Sequence, residues 1–327
     1  MNILALVPDR NAPSCRFRVD QFVRPLAGEG ISLEIVELGR GGEDRRKSLK
    51  AAADFDGVVL HRKLLNRSDF RTLRRLARRL IYDFDDAVMF RDSNARRLES
   101  RMRRRKFQRL VSGADLVIAG NEYLRRWAAP HCHKVAVIPT AVDLSPFPPA
   151  PVGGTGGTIG WMGTGSNFVY LSLVESVLES LIRSRPGVSF QVVSDAKPVF
   201  RGLPAGVKKW SRDEEVPDLT GFDIGIMPLL DDPWAAGKCA LKILQYSAAF
   251  LPVVCSPVGA NREVIRDGVN GYFARVPSEW RRRLEDLLDS AERREEMGRA
   301  GRKIVEEGYS VSVMAPRLCR ALREAVG

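Results

Sequence analysis

Residues 222–274 read FDIGIMPLLDDPWAAGKCALKILQYSAAFLPVVCSPVGANREVIRDGVNGYFA. An apolar run of strand length, Ile224 to Leu229, is followed by an acidic loop and a helix-length stretch carrying two lysines. A second apolar run, Pro252 to Cys255, leads to a glycine turn that opens another helix at Asn261. Short apolar runs separated by helix-length patterns indicate βαβ units and a parallel sheet. Ligands of such sheets sit outside the carboxyl ends of the strands, so the loop before Lys238 and the turn at Gly259 should line one cleft. Read as one helix, Lys238, Lys242 and Gln245 stand at i, i+4 and i+7 and share a face. Two ammonium groups near the free N–H groups of a helix start suit a diphosphate; a solvated lysine stripe is the plainer alternative.

The same rhythm extends outward. Ile3–Val7, 32–38, Gly57–His61, Leu80–Phe84, Leu116–Ala119 and 135–138 read as strands alternating with helical patterns, which predicts a doubly wound parallel sheet over residues 1–145. Residues 146–157, rich in proline and glycine, break the pattern and read as a linker. A second series begins at Thr158–Met162 and runs to 309, with a closing helix in 310–327. The chain of 327 residues is long enough for two such domains. Nothing approaches a transmembrane span. The start, MNILALVPDR, reads as a buried strand rather than a signal peptide, which gives a cytoplasmic expectation. Five scattered cysteines with no Cys-x-x-Cys pair argue against a disulfide framework and a zinc knuckle, and His131-Cys132-His133 has no second ligand pair to complete a metal site.

The net charge of +12 is uneven: residues 1–145 hold 29 Lys+Arg against 18 Asp+Glu. Much of the excess lies in 71–80 and 96–109. In the first, Leu73, Leu76, Ala77 and Leu80 recur at helical spacing, predicting an amphipathic helix with an arginine face. Such a face is either merely solvated or meets an anionic partner such as acidic lipid or a negatively charged acceptor.

Two nucleotide motifs fail on inspection. After the strand ending at Met162, Gly163-Thr164-Gly165-Ser166-Asn167-Phe168 has Phe168 where a dinucleotide fingerprint needs its third glycine. Around Gly237-Lys238, Asp232 replaces the first glycine of a P-loop and Cys239 the magnesium-holding Ser or Thr. Gly163, Thr164, Gly165 and Ser166 could still bring backbone N–H groups to an anion; a plain tight turn is the alternative.

Taken together, Ile159-Gly160-Trp161-Met162-Gly163, Phe222 to Pro228, Gly237 to Tyr246, Pro252 to Gly259 and Asp267 to Gly271 resemble the second domain of the retaining glycosyltransferases of family four. Residues 114–119, 137–143 and the closing Tyr309-Ser310 with its helix extend the resemblance over the chain. It implies a GT-B fold, two Rossmann-like domains facing each other across a cleft, with the closing helix returning to the first. It also implies a donor that is a nucleotide-diphosphate sugar, no cofactor and no required metal. This sequence departs from the family at four places. Gly237 and Gln245 stand where two glutamates are usual, Thr164 where a diphosphate-gripping arginine is usual, and Asp85 where the first domain has a histidine. The Asp85-Asp86-Ala87 and Gly237-Lys238-Cys239 forms resemble a subgroup of the family.

The roles that follow are expectations. Lys238 and Lys242 neutralise the leaving diphosphate, with the Gly163–Ser166 turn, Gly259 and Arg262 beside it. Trp210 and Ser211 lie near the base and Gln245 near the ribose. Asp85 orients or deprotonates an acceptor hydroxyl, and His61 contacts the acceptor. Asp83, Asp85 and Asp86 could instead hold a metal, an assignment the GT-B resemblance opposes. The acceptor implied is a glycan, lipid-linked or otherwise anionic, with peripheral contact at the inner face of an anionic membrane. A nucleotide-sugar epimerase would need acidic and histidine side chains around the sugar, which are few here. A nucleic-acid binder would show aromatics among its arginines, which are absent.

Overall fold

The computed structural model describes residues 1–152, 154 and 156–327. Of the linker expected over 146–157, Gly153 and Thr155 lie outside the described residues. The chain divides into two compact units. The first comprises Met1–Asp143, Pro233–Cys239 and Ser310–Gly327; the second comprises Leu144–Asp232 and Ala240–Tyr309. Pro233–Cys239, expected with the second domain, thus packs in the first. The Asn121 amide holds it there by donating to the carbonyls of Gly237 at 3.1 Å and Lys238 at 3.2 Å.

The first unit has strands β1 (Asn2–Val7), β2 (Ser32–Glu37), β3 (Gly57–His61), β4 (Leu80–Phe84), β5 (Leu116–Ala119) and β6 (Val135–Val137). All pair in parallel in the order β2-β1-β3-β4-β5-β6. β3 and β4 are buried throughout, because helices cover both faces of a parallel sheet and their runs are apolar without alternation. The final helix, Val311–Val326, lays Met314, Ala315 and Leu322 against Ile3, Phe22, Ile81 and Leu116.

The arginine-rich segment differs from its expected length. Its helix runs only from Arg67 to Leu76, started by Asn66, whose side chain accepts from the Asp69 N–H. Ala77 is already extended and Leu80 opens β4, so the sheet claims the last apolar position of the helical pattern. Arg71, Arg75, Arg78 and Arg79 are exposed. Arg74 instead donates to the Ala77 carbonyl at 3.1 Å and pairs with Asp115 at 3.5 Å.

The second unit has β7 (Thr158–Met162), β8 (Ser189–Ser194), β9 (Gly206–Lys209), β10 (Ile224–Met227), β11 (Val253–Cys255) and β12 (Gly271–Phe273). They too are parallel, in the order β12-β11-β10-β7-β8-β9. Two doubly wound parallel sheets are thus present, as the sequence patterns indicate. Strand order reverses between β7 and β10 in the second unit and between β1 and β3 in the first, and ligands of such sheets bind at these reversals.

Glycines make the second sheet possible at its centre. A Cβ on Gly225 of β10 would meet the Tyr246 ring at 2.5 Å, so the bare backbone lets that ring lie flat on the strand. The buried Tyr246 hydroxyl then accepts from the Met162 N–H at 3.0 Å, joining β7 to the helix Leu241–Ala248. Asp223 closes the opposite end, accepting from the Thr158 N–H at 2.8 Å.

Candidate functional site

The crevice of the second unit lies where β7 and β10 end, at Gly163 and Pro228. Its cation is Lys242, on the first turn of the helix Leu241–Ala248. A Cβ on Gly163 would sit 2.6 Å from the Lys242 Cε and 2.8 Å from the Trp161 ring, so the absence of a side chain there lets the lysine stem cross the strand end. The Lys242 ammonium lies 5.3 Å from the centre of the Trp161 ring, whose π face attracts it. Ala240 precedes this helix in the left-handed region (φ 54°) and gives it no side-chain cap. An alanine there is strained, and the first-turn N–H groups have no internal acceptor.

That left-handed residue overturns the expected helix face. Lys238 has extended backbone (φ −67°, ψ 139°) and lies before the turn, so Lys238, Lys242 and Gln245 do not share a stripe. Lys238 belongs to the first unit, its ammonium 6.0 Å from the Trp234 ring. Gln245 points inward, buried, and donates to Glu215 Oε1 at 3.1 Å. Glu215 also accepts from the Trp210 indole at 3.0 Å through its other oxygen. Glu215, unmarked by any sequence pattern, therefore ties together the two residues expected at ribose and base. Ser211, next along, is exposed.

The Gly163–Ser166 turn is also more occupied than expected. The Gly163 N–H donates to the Val193 carbonyl at 3.0 Å and that of Gly165 to Asp195 Oδ1 at 2.7 Å. A carboxylate thus sits at the expected anion cradle, because Asp195 directly follows β8 and reaches the N–H of Gly165. The Thr164 hydroxyl lies 3.0 Å from that of Ser166 and accepts from the Asn167 amide at 2.8 Å. Gly259 has φ 51°, a turn that glycine makes without strain. Arg262 just beyond it is exposed and donates from Nε to the Pro257 carbonyl.

The first unit carries a different constellation, at the ends of β3 and β4. Asp83 is buried and accepts from Arg18 and, at 2.7 Å, from His61 Nδ1. Burial alone would raise its carboxyl pKa; the Arg18 guanidinium and the His61 hydrogen bond outweigh that and hold it at about 2. Arg18 also donates to the Ile138 carbonyl at 2.6 Å, beside β6. His61, expected at the acceptor, is wholly enclosed, and its Nε2 is buried without a partner among the described residues. The reason is its place as the last residue of β3, with Asp83 opposite it in register.

Asp85 and Asp86 follow β4 and meet Arg62. Arg62 Nη2 donates to Asp86 at 2.5 Å, and its Nε lies 3.3 Å from Asp85 Oδ1 without hydrogen-bond geometry. Arg62 is itself left-handed (φ 57°), fixed by its N–H to the Asp83 carbonyl at 2.8 Å and by its own carbonyl accepting from Tyr82 at 3.3 Å. Burial raises the Asp86 carboxyl against the opposing pull of Arg62 and Lys238. Asp83 and Asp86 are hydrogen-bonded to cations and Asp85 lies beside one, which disfavours the paired metal-holding geometry.

Gly237 explains one departure from the family pattern. A Cβ on it would meet the Ala87 backbone nitrogen at 2.5 Å, so the glycine and the Asp85-Asp86-Ala87 turn are packed face to face. Cys239 donates to the Asp85 carbonyl at 3.2 Å, and its thiol pKa is pushed far up, chiefly by burial. It is a packing residue and not a nucleophile.

Comparison with known proteins follows this geometry. Over 74 residues the chain is 38% identical to spore coat protein SA of Bacillus subtilis (strain 168), an overlap of 22% of this chain and 20% of that one. The chain thus spans about a fifth of the curated relative it matches. Among solved structures, the Anabaena protein HepE in complex with UDP and glucose matches with a TM-score of 0.77 at 14% identity, covering 99% of this chain and 100% of that one. Sucrose-phosphate synthase from Thermosynechococcus elongatus matches with a TM-score of 0.80 at 14% identity, covering 99% and 98%. Both likenesses show the fold, which is GT-B. Residues 158–290, which hold the β7/β10 crevice and Lys242, match the family described as glycosyl transferases group 1.

Proposed function

We propose that this protein transfers a sugar from a nucleotide-diphosphate sugar to a hydroxyl acceptor, a glycan or a lipid-linked anionic glycan. The observation that carries this is the Lys242 ammonium, led across Gly163 to a sheet reversal beside an uncapped helix start. Charge builds on the diphosphate as it leaves the sugar. A cation and N–H groups already aimed there lower that barrier without reorganising, and ask for no metal or cofactor. The group 1 family match over 158–290 and the UDP-glucose held by HepE support a nucleotide-sugar donor. Retention of configuration follows from the family-four resemblance. In the first unit, Asp85 is the group suited to orient the acceptor hydroxyl, since its Oδ1 is buried without a hydrogen bond.

A thermal-shift screen with UDP, GDP, dTDP and their sugars tests the donor. A ligand at 100 times its dissociation constant adds about 2.7 kcal/mol of stability, and no shift with any of them would refute the proposal.

No helix among the described residues is long and apolar enough to cross a membrane. The exposed Arg71, Arg75, Arg78 and Arg79 favour peripheral contact with anionic lipid, each worth about 1 kcal/mol near such a surface. Reversing these four to Glu should abolish sedimentation with acidic vesicles, and equal sedimentation with neutral and acidic vesicles would remove the membrane from the picture.

A further inference from the structure

Glu215 sits inside the second unit with 4% of its surface exposed. Its Oε1 accepts from the Gln245 amide at 3.1 Å and its Oε2 from the Trp210 indole at 3.0 Å. Both of these donors are neutral, and a buried carboxylate is a costly tie between neutral side chains. What sets a carboxylate apart from an amide or a hydroxyl in that place is that it accepts and never donates.

That one-sidedness reaches Gln245. An amide carries two N–H donors on one arm and a carbonyl on the other, and it can sit either way round unless a neighbour decides. Glu215 draws the Nε2 arm toward itself and so turns the Oε1 arm away. Gln245 as a whole is 6% exposed. Among the described residues nothing donates to its Oε1, and that atom is not buried, in contrast to His61 Nε2. Trp210 holds the carboxylate from the other side. It follows β9, and its backbone N–H donates to the Ser194 carbonyl at 2.9 Å, at the carboxyl end of β8.

Gln245 stands three residues beyond Lys242 on the helix Leu241–Ala248, a spacing at which side chains are neighbours, their Cβ atoms about 5–6 Å apart. A diphosphate at Lys242 therefore brings the next group of a nucleotide, its ribose, within reach of Gln245 Oε1. A ribose hydroxyl donates where that oxygen accepts.

We infer that Glu215 is a positioning residue for the donor: it locks the Gln245 amide with its carbonyl outward, and that carbonyl accepts from a ribose hydroxyl of the nucleotide. The inference rests on the nucleotide-sugar reading and narrows the donor to nucleotides that carry this hydroxyl.

Calorimetry with UDP and GDP, each beside its 2′-deoxy and 3′-deoxy analogues, tests it first on the wild-type protein. One of the two analogues should bind about tenfold more weakly than its parent, the usual effect of one hydrogen bond. Gln245→Met keeps the length and removes the acceptor, and should bring parent and analogue within about twofold of each other. Glu215→Gln lets the Gln245 amide turn over, so the parent nucleotide should bind about tenfold more weakly. Combining Glu215→Gln with Gln245→Glu exchanges donor and acceptor. The new amide then donates to the new carboxylate and still accepts from Trp210, so affinity and the preference over the analogue should return. A residue that only supports the fold would not show that rescue. If Glu215→Gln does not fold, the double variant carries the comparison alone, and it should discriminate as the wild type does.

Equal binding of a parent and both its analogues overturns the inference and leaves the donor reading standing. Discrimination that survives Gln245→Met, or a double variant that does not discriminate, overturns it as well. Binding of neither UDP nor GDP also overturns it, and the donor reading then stands or falls by the thermal-shift screen with dTDP and the sugars.

Discussion

The two sheet reversals are built in opposite ways. At the β7/β10 reversal the sequence places Gly163, and the Lys242 stem passes over it. At the ends of β3 and β4 it places Asp83, Asp85 and Asp86 against Arg18, His61 and Arg62. Within the buried network substitution should strike stability first; at the β7/β10 crevice, replacing the lysine should strike ligand binding with the fold intact. The contrast separates the crevice proposed for the donor from a buried set, Arg18, Asp83 and His61, that ties strand ends together.

The largest effect should come from breaking the buried network. Asp83→Asn leaves Arg18 buried without its counter-charge, a situation that costs about 3–5 kcal/mol. Urea unfolding of the variant should show that loss, and a change below about 1 kcal/mol would mean the pair is solvated. The pH dependence follows from the same group. Its folded pKa of about 2 lies below the unfolded value, so its contribution is complete above pH about 4 and disappears as the pH falls through 2. That contribution is on the order of 2 kcal/mol, and Asp83→Asn should flatten the acid limb of a stability–pH curve.

Lys242→Met tests the other half of the comparison. Nucleotide-sugar binding or turnover should fall by a factor on the order of ten to a thousand, while the urea midpoint stays where it was. Unchanged kinetics, or a large loss of stability, would make the two reversals alike.

Gly237 sits between these extremes. Gly237→Ala forces a methyl group against the Ala87 nitrogen and should cost about 1–3 kcal/mol, the usual range for overpacking. Gly237→Glu should cost at least as much and raise no activity, since the backbone of the Asp85-Asp86-Ala87 turn fills the space. A gain in turnover on restoring the carboxylate would show that the turn yields readily.

Much of this was legible in the sequence because apolar runs of strand length do not depend on distant partners. β3, β4, β5, β7 and β10 fall within the runs Gly57–His61, Leu80–Phe84, Leu116–Ala119, Thr158–Met162 and Ile224–Leu229. β9 was invisible: Gly206-Val207-Lys208-Lys209 is an exposed edge strand with no buried face to pattern. The structural role of Asp83 is not legible in the sequence, because its partner Arg18 lies 65 residues away, a pairing that no local spacing announces. The helix face of Lys238, Lys242 and Gln245 assumed unbroken helical backbone, and nothing about an alanine marks the left-handed turn at Ala240. Gly237 reads as a missing acid in sequence and as a required gap in three dimensions.

The smallest effect should be that of Lys238→Met, and it discriminates most sharply between spacing and geometry. On spacing alone, Lys238 and Lys242 are interchangeable neighbours on one helix, and removing either should weaken the nucleotide equally. In the structure Ala240 separates them. Lys238 is extended, packs beside Trp234, and acts on Asp86 within the first unit. Its removal should change nucleotide affinity by no more than about threefold, in keeping with a half-exposed cation whose interaction is worth under about 1 kcal/mol. Because Asp86 would lose one of the charges opposing its burial, its carboxyl pKa should rise further, which a 13C titration of aspartate side chains would register. A loss of affinity as large as that of Lys242→Met would return Lys238 to the donor-binding set.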